Sequence, residues 1–365
     1  MDMAPRFGIE EEYFVVDPAT RGVVPRAAPV VARAAGALGE RASLELIGFL
    51  AEAKTPPCRD LAELAAEVRA MRAAMADAAA REGLALAATG TPVLGDLLPP
   101  PITAGARYAD SLATYRALDD EQCICACHVH VEVPGLEAAV AVSNRLRPWL
   151  PTLLALTANS PYWAGRDTGH ACWRSVTWSR WPVAGPPPYL ESAAHYEDLV
   201  GTLLGCGALM DPATVFWDVR PSSRLPTVEV RLADVALTAD AAAVFAALVR
   251  ALVEVSLDAA AAGEDAPRPP QELLRAAYWL AARDGLAGAG VDARTGRPAR
   301  FRDLAAALVG HARPALAASG DLDRVADGVR ALLERGTGAD AQRAAFRRRG
   351  RLTDVVDAAV LRPAP

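Results

Sequence analysis

Lysine is all but missing from this 365-residue chain: Lys54 is the only one, and every other strongly basic residue is arginine. A phosphate-binding P-loop needs Gly-Lys-Ser or Gly-Lys-Thr, which this sequence lacks. Any phosphate chemistry must therefore rest on arginine and metal ions. The skew is also the ordinary mark of a GC-rich genome, since alanine, glycine and proline are abundant too. Positive charge is not in excess either. A net charge of −6 excludes a general nucleic-acid binder, whose affinity would come from a basic surface. Long apolar runs are missing: Val244–Val255 is interrupted by Arg250 and Glu254 and is too short to span a membrane. The opening Met-Asp-Met-Ala-Pro-Arg has no apolar core of the secretory type. The chain is thus expected to be soluble and cytoplasmic, with no membrane partner. In that setting Cys58, Cys123, Cys125, Cys127, Cys172 and Cys206 are expected as reduced thiols. Cys123, Cys125 and Cys127 are too closely spaced for a zinc knuckle.

What is present is globular: 52% hydrophobic residues against 22% charged ones gives ample core. Strands are expected over Phe7–Val16, Leu84–Thr89, Gln122–Val133, Val215–Val219 and Thr227–Leu232. Leu44–Ala53 reads as apolar with Glu45 and Glu52 embedded, ending at Thr55-Pro56-Pro57. Helical spacing covers Leu61–Glu82, Ala239–Ala262 and much of Gln271 onward. Glu137–Asn159 is helical with breaks or kinks at Pro148 and Pro151. Asn159–Pro188 reads as a long Trp-, Arg- and Pro-rich loop. Glu264–Pro270 is the best candidate for a domain boundary, but no convincing linker is present, so the chain is taken as one unit over 1–365. Strands scattered among helices without regular alternation indicate α+β.

Period-two alternation sorts the charged strand residues by face. In Phe7–Val16, Glu10 and Glu12 share one face and Glu11 points to the other. Two like charges in a half-buried strand either guard a solvated edge or await a cation. Gln122–Val133 puts His128, His130 and Glu132 on one face and the cysteines and valines on the other, a plausible ligand set for a divalent metal or a grip for phosphate. Glu229 and Arg231 share a face of Thr227–Asp234. Taken alone they make an ordinary cross-strand ion pair. Glu52 shares a face with Lys54. Together these strands have apolar backs and a front carrying Glu10, Glu12, Glu52, His128, His130, Glu229 and Arg231. Carboxylates that outnumber histidines suit magnesium or manganese, and a metal-bound polyphosphate with arginine to hold the transferred group. The Asn159–Pro188 segment adds Trp163, Trp173, Trp178 and Trp181 with Arg166, Asp167, Arg174 and Arg180. Such a set suits a small carboxylated substrate or simply packs the segment onto the body.

The segments FGIEEEYFVVDP, HVHVEVPG, NSPYWAGRDTG, WRSVTWSRWP and FWDVRPSSRLPTVEVRLAD resemble carboxylate–amine ligases of the glutamate–cysteine ligase type 2 group. The resemblance runs from Phe7 to about Arg343. It implies a glutamine-synthetase-like fold, an antiparallel β-sheet cradle with flanking helices. It also implies that ATP phosphorylates a substrate carboxylate and an amine then displaces the phosphate. By that analogy Glu10, Glu12, Glu52, His128 and Glu229 match metal-ligand positions for Mg2+ or Mn2+, and Arg231 matches the arginine on the transferred phosphoryl group, with Glu229 beside it. Asn159, Arg166, Asp167 and Arg174 fall in the substrate-side motif, and His130 and Glu132 remain further active-site candidates from the face they share with His128. His170, Cys172, Glu132 and Ala341 depart from the family pattern away from the metal carboxylates. They bear on which acid and amine are used.

Lys54 has two readings, a contact to a substrate carboxylate or a structural partner of the metal-site glutamates. The expected partners are small amino-acid and amine substrates, with weak cysteine activity, and a homo-oligomer is left open. Two other function classes fit parts of the sequence. One is a divalent-metal-dependent hydrolase built on His128-x-His130; the other is a non-catalytic nucleotide-binding protein. Only His170, His195 and His311 remain for the first, and none has ligand-like spacing. The retained carboxylates and Arg231 argue against the second.

Overall fold

The molecule is organised around a seven-stranded antiparallel sheet, seen in a computed structural model that describes residues 4–362. Its strands are β1 (Phe7–Val16), β2 (Ala42–Leu44), β3 (Leu50–Lys54), β4 (Ala85–Ala87), β5 (Ala126–Glu132), β6 (Val219–Pro221) and β7 (Thr227–Asp234). Their spatial order is β6-β7-β5-β1-β3-β2, with β4 pairing the far end of β1. Phe14 pairs with both Leu50 and Ala87, so β4 extends the side of β1 that β5 occupies. The sequence expectation of an antiparallel cradle flanked by helices is met.

Alternation along the strands decides the layering. Phe7, Ile9, Val129, Val131, Val228 and Val230 are buried on one face, against the helices Leu61–Arg81 and Ala239–Ala261. Both helices start at capped ends: Asp60 accepts from the Glu63 amide at 2.8 Å and Thr238 from the Ala241 amide at 3.2 Å. The back is not wholly apolar. Glu11 is fully buried there and accepts a forked pair of hydrogen bonds from Arg72, at 2.8 and 2.5 Å, plus one from the Tyr13 hydroxyl at 2.7 Å. The same guanidinium donates to the Ala236 carbonyl at 2.8 Å.

Sequence and structure part company in several places. The expected helix over 137–159 divides into Leu136–Leu146, a turn at Arg147–Trp149 and Leu150–Leu156, because Pro148 and Pro151 cannot supply interior amide donors. The expected loop over 159–188 holds a short hairpin (Tyr162–Trp163 with Arg166–Asp167) and a helix, Trp173–Trp178. Helices Ala27–Leu38 and Ala193–Gly205 lie in stretches for which the periodicity gave no assignment. The segment 264–270 does not divide the core: Leu248 and Leu252 before it share one apolar cluster with Leu304 and Leu308 after it. Finally, Leu361 donates its amide to the Leu86 carbonyl at 2.8 Å and Val360 bridges Ala87, covering the edge of β4.

One irregularity shapes the front face. Val230 pairs with Val129 and Ala233 with Cys127, so Arg231 and Leu232 together stand opposite His128 alone. This β-bulge re-aims the strand. Its two carbonyls are taken by the Arg174 guanidinium, at 2.9 Å from Arg231 O and 3.0 Å from Leu232 O.

Candidate active site

On the front of the sheet, cross-strand register stacks the predicted residues in rows. Glu12 lies opposite Glu52, Glu10 lies between Lys54 and His128, and Glu229 lies opposite both His130 and Arg220. Partners directly across an antiparallel pair have Cβ atoms about 5 Å apart, so this ladder brings residues far apart in sequence into one patch. Sequence reasoning missed two members. Glu45, just beyond β2, joins Glu12 and Glu52 in a group in which one carboxylate oxygen from each residue lies within 4.8 Å of the others. Arg220, on β6, donates to Glu229 at 2.9 Å.

The charges divide unevenly. Glu229 is held by Arg220 and by Arg231, and its pKa lies below the ordinary range because those two guanidinium groups outweigh its burial. Glu10 faces Lys54 at 3.4 Å and both histidines at 3.7 Å; burial opposes its charge, but the histidine contacts prevail and lower its pKa. Glu52 holds Lys54 at 2.8 Å and the Ser43 hydroxyl at 2.7 Å. Glu12 and Glu45 have no such help: among the described residues, no basic nitrogen lies within 4.0 Å of either. Burial and the Glu52 charge push the Glu12 carboxyl up to about 7, despite a hydrogen bond from the Ala126 amide at 2.8 Å. The same two causes raise Glu45. Three carboxylates at this spacing, two of them without a basic nitrogen in contact, fit a hard divalent cation that takes oxygen ligands.

The histidines differ. Burial and the nearby Arg231 charge hold His128 down to about 4, so it is a neutral base at pH 7. His130 has its Nδ1 3.0 Å from the Thr227 hydroxyl, while its Nε2 is buried without a hydrogen-bond partner and faces Glu10 and Glu229. Arg231 spends one terminal nitrogen on Glu229, and its Nε is buried and unpartnered as well. Unsatisfied buried donors are uncommon, and these two, facing the cleft, are open to a ligand or a water.

These side chains line a cleft with two connected ends, sharing Glu12, Glu45, Arg107, Tyr108, His128 and Arg231. The acidic end, of about 1350 Å³, contains Glu10, Glu52, Lys54, Arg220 and Glu229. The other, of about 840 Å³, is walled by Trp178, Trp181 and Phe216 beside Arg174. Four sequence-predicted residues stand outside both ends, and three of them have their polar groups engaged elsewhere in the fold. Glu132 pairs with Arg6 at the end of β5. Asp167 is exposed and forked to Arg343, and Arg166 is exposed on the same hairpin. Asn159 is buried, donating to the Ala88 and Val235 carbonyls and accepting from Gln342.

Known proteins share both the sequence and the fold. The sequence profile of "Glutamate-cysteine ligase family 2" matches residues 6–358. "Putative glutamate--cysteine ligase 2-1" of Saccharopolyspora erythraea is 44% identical over 98% of this chain and 94% of its own. "Putative glutamate--cysteine ligase 2-2" of Mycolicibacterium vanbaalenii is 45% identical over 96% of both. Among solved structures, a glutamate–cysteine ligase of Francisella tularensis in complex with AMP superposes with a TM-score of 0.74, at 14% identity, over 98% of this chain and 88% of its own. With a profile match over nearly its whole length and relatives this similar, the chain belongs to glutamate–cysteine ligase family 2.

Proposed function

We propose that this protein is an ATP-dependent carboxylate–amine ligase acting on a small amino acid such as glutamate and an amine such as cysteine, as one catalytic unit. The observation that carries this reading is the juxtaposition of the cation-deficient Glu12–Glu45–Glu52 group with Arg231, whose buried Nε has no partner. A divalent ion, Mg2+ or Mn2+, bound by those three carboxylates would neutralise polyphosphate charge. Arg231 would grip the transferred phosphoryl group, while Glu229, fixed by Arg220, orients the guanidinium. In the reaction the γ-phosphoryl group of ATP passes to a carboxylate oxygen, leaving ADP and an acyl phosphate. The amine nitrogen then bonds to the acyl carbon, the C–O bond to phosphate breaks, and the nitrogen gives up a proton. The aromatic end, with Arg107 at its junction with the acidic end, suits the acid substrate, whose carboxylate an arginine can hold in a fork. Arg166, Asp167 and Asn159 would act on this site only by shaping the segment that carries Arg174.

ADP release measured against a panel of amino acids and amines tests the function directly. The expected result is release that requires a divalent ion and both substrates together. Hydrolysis of a substrate without ATP would instead revive the His-x-His hydrolase reading, and ADP release that no added pair increases would overturn the ligase.

The metal assignment has a separate, non-catalytic test. An ordinary glutamate titrates near 4.5, whereas Glu12 in the folded protein titrates near 7 and Glu45 is also raised. The folded state therefore keeps protons that the unfolded chain has already lost, and stability falls as pH rises. His128, neutral in the folded protein above about 4, adds little above pH 6.5. Glu12 loses its proton through about 7, while Glu45 and His130, both raised, extend the effect. The melting temperature of metal-free protein is therefore expected to fall as pH rises from 6.5, and saturating Mg2+ to shrink the fall by the share that Glu12 and Glu45 carry. A melting temperature that rises over this range, or that ignores Mg2+, would remove the metal from Glu12.

A further inference from the structure

Lys54 occupies a place in the acidic end where a metal ion would otherwise be needed. It is the cross-strand partner of Glu10, one row from the Glu12–Glu52 pair on the same face. Its ammonium lies 2.8 Å from Glu52 and 3.4 Å from Glu10, bridging two carboxylates on neighbouring strands. The carboxylate oxygens confirm that this is a filled position. Oε1 of Glu52 takes both Lys54 and the Ser43 hydroxyl, and Oε1 of Glu10 faces Lys54 and His130 Nε2. Within this cleft, Glu12 and Glu45 are then the carboxylates with no basic nitrogen within 4.0 Å, with Glu52 at the border between the two halves.

We propose that Lys54 is a tethered cation that takes the place of a divalent ion between Glu10 and Glu52, so that the nucleotide-free protein binds one divalent ion, at Glu12, Glu45 and Glu52, and excludes a second. The inference rests on the metal-dependent ligase reading above and specifies how its metal site is divided. An ammonium fixed by the backbone is present at every metal concentration and carries one charge where a divalent ion carries two. It also repels a second ion from the Glu10 side, because like charges a few ångströms apart at a partly buried site disfavour each other. A strand position holds it there: β3 ends at Lys54, and its side chain emerges on the front only because Glu52, two residues earlier, does too. Replacing it would leave Glu10 facing the two histidines and freely available as an oxygen ligand.

Mn2+ binding to the nucleotide-free protein, followed by electron paramagnetic resonance and by calorimetry, decides the matter without any turnover. Wild type is expected to bind one tight Mn2+ per chain. Lys54→Met is expected to bind two, the second at least tenfold tighter than any second event in wild type, with dipolar broadening in the resonance spectrum from the paired ions. Lys54→Arg, which keeps the charge, should stay at one. Two tight ions in wild type, or a single ion in a folded Lys54→Met protein, would overturn the proposal. If Lys54→Met does not fold, the wild-type count together with the count in Lys54→Gln decides between the same two outcomes. No tight Mn2+ in any form would instead sink the metal-dependent reading on which the inference rests.

Discussion

Arg231→Lys is expected to lower kcat on the order of a hundredfold to a thousandfold, while the melting temperature and ATP affinity change little. The geometry separates the two jobs that Arg231 could have. Holding Glu229 in place is shared with Arg220, whose Nε donates to the other carboxylate oxygen at 2.9 Å, so that job survives the substitution. A lysine ammonium could also keep the contact that Arg231 makes to Glu229. What it cannot do is keep that contact and simultaneously offer a second, fixed donor, which is what the buried Nε of Arg231 supplies. A guanidinium presents its donors in a rigid plane, whereas an ammonium is a point charge on a flexible stem. Steady-state ADP release, with ATP affinity measured separately, is the check. Turnover close to wild type would reduce Arg231 to a structural neighbour of Glu229.

The largest loss of stability should come from the opposite face. Arg72→Leu is expected to cost about 3–5 kcal/mol, because it strands the Glu11 carboxylate in the core with only the Tyr13 hydroxyl for company. Removing both charges should be far milder. In Glu11→Leu/Arg72→Leu no unpaired charge remains, and leucines suit two positions that are buried on the apolar back of the sheet. Buried ion pairs replaced as a unit are often close to neutral for stability. Urea unfolding of the two single variants and the double variant tests this: the double should be more stable than either single. If Arg72→Leu costs less than about 1 kcal/mol, water reaches Glu11 and the pair is not a core contact.

Much of the site was legible because a strand has only two faces. Once Glu10, Glu12, His128, His130 and Glu229 are placed on strands, alternation alone aims them together, and the antiparallel register then brings them within a few ångströms. Glu45 escaped because it follows β2 in an irregular stretch where no period applies. A signal existed: Ser43 pairs with Glu52, and Glu45 lies only two residues beyond it in the chain. Arg220 escaped by one residue, since the strand was expected to stop at Val219. The bulge at Arg231 and Leu232 leaves no mark in composition, and with it went the role of Arg174, whose guanidinium meets bulge carbonyls. Glu11 could be assigned to the back face, but its partner lies 61 residues away on a helix, and no local pattern points to a pair that distant. Asp167 and Glu132 were misplaced for a similar reason: each is neutralised by an arginine from a remote part of the chain, Arg343 and Arg6.

The seam between Leu86 and Leu361 has a consequence for how the protein is made. Strand β4 and its apolar neighbours emerge from the ribosome early, yet the segment that covers their edge is translated hundreds of residues later. At 5–20 residues per second that interval is on the order of tens of seconds. Throughout it, the nascent chain displays Leu84, Leu86 and a row of unpaired backbone groups, a template for pairing with another chain. The yield of soluble protein should therefore respond to chaperones that cover exposed strand edges. Slower, cooler expression should help too, by lowering the number of such chains that meet before the seam closes.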